Sequence, residues 1–62
     1  MMKKEVVASG IIGRFNHEWK VEEITDTNSN CKGYRLICGG IVLGTHKTVA
    51  KALEELIANF DN

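Results

Sequence analysis

The sequence predicts an α+β fold: a small antiparallel β-sheet of three to four strands with one C-terminal α-helix packed on one face. Three observations carry that prediction. Gly39-Gly40 separates two short apolar runs, the apolar period changes from two to about 3.6 after Gly44, and two further strand-like segments precede Thr27.

Residues 5–15 (Glu-Val-Val-Ala-Ser-Gly-Ile-Ile-Gly-Arg-Phe) are rich in β-branched and aromatic side chains and read as a strand, with Gly10 and Gly13 marking a bend or bulge. Residues 18–26 alternate and read as its antiparallel partner. A three-residue loop, Asn16-His17-Glu18, pairs Phe15 with Trp19, Arg14 with Lys20 and Gly13 with Val21. That register sends Ile11, Phe15, Trp19 and Val21 inward, and Ile12, Arg14, Lys20, Glu22 and Ile24 outward. Residues 26–32 are uniformly polar and turn-forming, and are expected to be the most mobile loop.

The hairpin that follows turns at Gly39-Gly40, because two glycines accept positive φ at little steric cost. A two-residue turn sets Cys38 opposite Ile41, Ile37 opposite Val42, Leu36 opposite Leu43 and Tyr34 opposite Thr45. One face then carries Tyr34, Leu36, Cys38, Ile41 and Leu43, and the other Arg35, Ile37, Val42 and Gly44. Val49, Ala52, Leu53, Leu56, Ile57 and Phe60 fall on one helical stripe, with Lys47, Lys51, Glu54, Glu55 and Asn59 opposite. Thr45 or Thr48 supplies the N-cap oxygen, and the tail from Asn59 to Asn62 ends the pattern. The expected core is this stripe against Tyr34, Leu36 and Leu43.

Sixty-two residues with no proline, repeat or linker are expected to form a single domain spanning 1–62, too small for a deep active site. Eight basic and eight acidic side chains balance, which removes the simplest electrostatic case for a nucleic acid or an anionic membrane. Val6 to Gly13 is far short of the ~20 apolar residues of a bilayer span. The opening Met-Met-Lys-Lys-Glu followed by so short an apolar run is no signal peptide, and a cytoplasmic location is expected. Cys31 and Cys38 lie roughly 20 Å apart on an extended segment at ~3.3 Å per residue, beyond the about 7 Å between Cα atoms that a disulfide spans.

His17, Cys31, Cys38 and His46 could fill one zinc site in number, but they lack the close-pair spacing of structural zinc ligands, and no metal or other cofactor is implied. Gly39 to Gly44 with Thr45-His-Lys47-Thr48 has some features of a phosphate-binding loop, yet its lysine stands two positions too late and Ile-Val-Leu favours a strand. No cysteine or serine has a base at recognisable spacing, and Glu22-Glu23 point to opposite faces of a strand, so no enzymatic activity is expected.

The run Gly-Tyr-Arg-Leu-Ile-Cys-Gly-Gly-Ile-Val-Leu-Gly-Thr-His-Lys-Thr-Val-Ala-Lys-Ala-Leu-Glu-Glu-Leu, within residues 33–57, resembles the second half of the small DNA-binding domains of phage-type integrases and AP2-type proteins. The resemblance implies a three-stranded sheet entering a major groove, backed by a helix. It would make Arg14, Lys20 and Arg35 groove-facing and Thr45 the helix opener. Glu18, Glu22 and Glu23 depart from it, standing where a DNA-reading strand carries basic residues.

The expected function is that of a small stand-alone protein-binding module, such as a phage or mobile-element inhibitor docking on a larger host protein through the sheet face opposite the helix. Its expected contact residues are Arg14, Lys20, Glu22, Ile24, Arg35, Ile37 and Val42, which mix branched aliphatics with both signs of charge. The alternative is a small nucleic-acid-binding protein using the same face. A homodimer is a further alternative, and no membrane partner is expected.

Overall fold

The computed structural model describes residues 2–60. Four strands, β1 (Met2–Ile12), β2 (His17–Asp26), β3 (Cys31–Cys38) and β4 (Ile41–His46), precede one helix, α1 (Val49–Phe60). The strands form an antiparallel meander in the order β1-β2-β3-β4, and α1 lies against β3 and β4. The predicted α+β class is therefore the observed one. No helix among the described residues is long and apolar enough to cross a membrane.

Each turn uses residues that tolerate left-handed backbone. Gly39 and Gly40 have φ of 60° and 82°, positive at both central positions as a type I′ hairpin requires. Asp26 Oδ1 accepts a hydrogen bond from the Asn28 amide at 3.0 Å, and Asn30 takes φ 56° before β3 begins, so the polar loop is only residues 27–30. At the first turn Gly13 (φ 86°) and Asn16 (φ 56°) bracket Arg14-Phe15, and the Asn16 amide donates to the Gly13 carbonyl at 3.2 Å.

That first turn corrects the expected register. β1 ends at Ile12, which pairs with His17, so Gly10 faces Trp19, Ser9 faces Lys20 and Ala8 faces Val21. Phe15 is not inward: it is 80% exposed in the turn, edge-on to His17. Ile11 turns out to lie on the outer face, 65% exposed, whereas Ile12 packs on the core. The pairing is shifted by five residues, Trp19 facing Gly10 in place of Phe15, and an odd shift exchanges the two faces of β1 from Ala8 to Ile12.

The second correction is in β4. A bulge at Leu43 sets Leu36 opposite Gly44 and Tyr34 opposite His46, in place of Leu43 and Thr45, while Ile37–Val42 and Cys38–Ile41 pair as expected. Gly44 therefore lies on the helix side. A Cβ there would meet Glu55 Oε1 at 2.9 Å, and the bare backbone lets the Glu55 carboxylate reach His46 Nε2 at 2.7 Å. Glu55 is thus half-buried rather than solvent-facing, while Ile57 and Ile41, both expected inward, are exposed. Leu43 still reaches the core from its bulge.

The core is Val21, Leu36, Cys38, Ala52 and Leu56, with Val49, Leu53 and Phe60 of the predicted stripe packed around it. Thr48 is the N-cap: its Oγ1 accepts from the Lys51 amide at 3.1 Å. The end of the predicted tail, Asp61 and Asn62, lies outside the described residues. Cys31 and Cys38 open and close β3 and are both free thiols.

Gly10 is where the sheet and its one tryptophan meet. A Cβ at Gly10 would stand 3.0 Å from Trp19 Cζ2 and Nε1, so the indole rests on bare backbone across the β1–β2 pair. Gly10→Val should displace the ring and cost about 1 to 3 kcal/mol. The emission of the sole tryptophan reports this directly; an unchanged emission maximum together with an unchanged melting temperature would show that the indole does not pack there.

Tyr34, also on the helix side, donates its hydroxyl to Glu23 Oε2 at 3.1 Å, and Lys32 Nζ stands 3.8 Å from Glu23 Oε1. The hydrogen bond to Glu23 comes first, then desolvation, then the carboxylate's charge, in raising the phenol above its ordinary 10.0. A raised folded pKa means that this contact contributes fully at pH below 10.0 and is lost as pH climbs through the folded value. The chain holds one tyrosine, so its tyrosinate absorbance should titrate with a midpoint above 10.0. Glu23→Gln should bring that midpoint down; equal midpoints in the two proteins would remove Glu23 as the cause.

Candidate functional site

With α1 on one side, strand alternation leaves the other face of the sheet open, and pairing arranges it in cross-strand rows. One row runs Ser9–Lys20–Ile37–Val42, the next Val6–Glu22–Arg35–Thr45, and a third Lys4–Ile24–Gly33. Ile11 and Glu18 pair at the end nearest the glycine turn, and Met2 and Asp26 at the other.

Six of the seven expected contact residues, Lys20, Glu22, Ile24, Arg35, Ile37 and Val42, fall on this face. Arg14 does not, since it stands exposed in the β1–β2 turn, and Ile12, expected outward with it, belongs to the core side. β1 contributes Ile11, brought outward by the shifted register, and Val6, kept outward by a bulge at Val7. Val42 is 54% exposed, and Ile37 beside it is half-buried by its neighbours.

The charges alternate along the sheet. Lys4, Lys20 and Arg35 are matched by Glu18, Glu22 and Asp26, and none of these six takes part in an ion pair among the described residues. An open groove of about 740 Å³ crosses the end of the face near the glycine turn, with Ile11, Glu18, Lys20, Ile37 and Val42 in its walls. A smaller depression of about 310 Å³ at the far end involves Met2, Ile24, Asp26 and Arg35.

Both histidines lie on the helix side, paired with the rings of Phe15 and Phe60 or with Glu55. Of the open-face carboxylates, Glu18 lines the larger groove and Asp26 the smaller depression. Among the described residues no three His, Cys, Asp or Glu side chains gather into a group that could hold a metal ion. Row by row, a branched aliphatic side chain neighbours a charged one. No protein-family model, curated protein or solved structure matches this chain.

Proposed function

We propose that this chain is a non-catalytic protein-binding module that docks the open sheet face on a larger protein, in the manner of a small phage or mobile-element inhibitor of a host protein. The observation that carries it is the aliphatic groove: Ile11 and Val42 stand more than half exposed on either side of Ile37, while only five hydrophobic residues are buried among the described residues. Branched aliphatics grouped in this way cost free energy in water and repay it when covered.

A nucleic-acid reading uses the same face, and the nearness of Lys20 and Arg35 in adjacent rows speaks for it. Against it stands the balance of three carboxylates to three cations, because a carboxylate near a phosphate opposes binding. Salt separates the two. Titration of the chain against duplex DNA should show weak binding at low salt and none at physiological salt, whereas a protein captured stoichiometrically from the source cell's lysate should remain bound as salt rises. Tight DNA binding with a steep salt slope, and no captured protein, would reverse the order of the two readings.

A further inference from the structure

β1 is an edge strand. Its inner side pairs with β2 on both sides of a bulge at Val7, and among the described residues no strand borders its outer side. Natural sheets blunt such edges with charge, proline, bulges, shortness or a covering element. β4, the opposite edge, is six residues long, bulged at Leu43 and backed by α1. β1 is eleven residues long and also carries one bulge, but the chain has no proline, and after Lys3, Lys4 and Glu5 the stretch Val6–Ile12 carries no charge at all, with Val6, Val7 and Ile11 exposed and Ala8–Ile12 regularly paired beyond the bulge. An uncharged β-forming edge of this length is a template for another strand.

We propose that the strand it accepts is β1 of a second copy, in antiparallel pairing about a two-fold axis normal to the sheet. Three observations select that occupant. The core of Val21, Leu36, Cys38, Ala52 and Leu56 is small for the chain, and the usual reinforcements of a domain this size are missing: both cysteines are free, and no metal-holding group exists among the described residues. Association is the reinforcement that remains. The edge is also self-complementary, because centring the axis within Val6–Ile12 sets uncharged residues opposite one another and carries the Lys3-Lys4-Glu5 cluster of each copy out to an end of the ribbon. Formal net charge is zero, so the copies do not repel at long range.

The axis normal to the sheet keeps like faces together. Two four-stranded sheets become one of eight strands, both helices sit on one side, and the two open faces join into a single surface. The proposal rests on the edge and stands apart from what that surface binds.

Light scattering of the chain as it exists should give twice its 6.9 kDa mass across a concentration series. In the same sample the amides of Val6–Ile12 that point away from β2 should exchange with solvent as slowly as those bonded to β2. A mixture of isotope-labelled and unlabelled chain should show α-proton contacts between the two β1 strands. Val7→Lys, which places like charges at the joint, should raise the dimer dissociation constant at least about tenfold, while Val42→Asp on the open face should leave it unchanged. A monomeric mass at every concentration overturns the proposal, as does fast exchange at the outward amides. So does a dimer that Val42→Asp dissociates and Val7→Lys does not.

Discussion

Leu36→Ala should leave much of the chain unfolded in dilute buffer at room temperature. Leu36 has no exposed surface; it lies on β3 between Val21 of β2 and Gly44 of β4, in the same cluster as Ala52 and Leu56 of α1. Removing its branched end leaves a cavity that sheet and helix cannot both close, at a cost of about 2 to 5 kcal/mol. At about 0.05 to 0.15 kcal/mol per residue, a 62-residue domain has only roughly 3 to 9 kcal/mol in all. Urea titration followed by circular dichroism and by Trp19 emission should show the loss with both probes together. Leu56→Ala belongs to the same class, whereas Ile57→Ala, on the exposed side of α1, should shift the midpoint little. If Leu36→Ala unfolded at the parent's urea concentration, the cluster would not be the core.

The parts of this fold visible in the sequence are those that a single local signal determines. Gly39-Gly40 admits one kind of turn, so the pairs nearest to it, Cys38–Ile41 and Ile37–Val42, follow from the residues alone. Val49, Ala52, Leu53, Leu56 and Phe60 recur at helical spacing, and the helix packs as that spacing requires. The first turn is not set by one such signal. Asn16-His17-Glu18 reads as the loop and Gly13 as a bend in the strand, whereas the turn falls at Gly13–Asn16, held by two positive-φ positions and by the fit of the Trp19 indole to Gly10, a contact between residues nine apart in sequence. Gly13 and Asn16, two residues that tolerate left-handed backbone, are the trace of it in the sequence. The bulge at Leu43 left no such trace, since its visible consequence, the approach of Glu55 to His46 over Gly44, exists only once the helix is folded back. On β2 and β3 simple alternation places Lys20, Glu22, Ile24, Arg35 and Ile37 on the open face; on β4 Val42 keeps that face because it precedes the bulge, whereas Gly44 does not, and on β1 the five-residue shift brings Ile11 to it.

On the proposed reading of the open face, Val42→Asp should abolish capture of a protein partner while leaving the helical circular dichroism and the urea midpoint close to those of the parent. The side chain is more than half exposed on an edge strand, so a carboxylate there remains hydrated in the free chain. In a complex it would be desolvated against the aliphatic groove with Ile11 and Ile37, at a cost of several kcal/mol, enough to weaken binding by two orders of magnitude or more. Ile11→Asp, 65% exposed across the same groove on β1, should also weaken binding. Ile37→Asp is a poorer probe, because Ile37 is half-buried in the free chain and the charge would also act on the fold. Arg35→Glu then tests the electrostatics. Its neighbour in the row is Glu22, so the change gathers two carboxylates at the middle of the face. A nucleic acid should be released at every sequence and with a smaller salt slope, whereas a protein partner should respond according to the charge it presents there. Should Val42→Asp unfold the chain instead, Val42 would be part of the core and the open face would lose its standing as the binding surface; should it bind its partner with the parent's affinity, the contact lies elsewhere on the molecule.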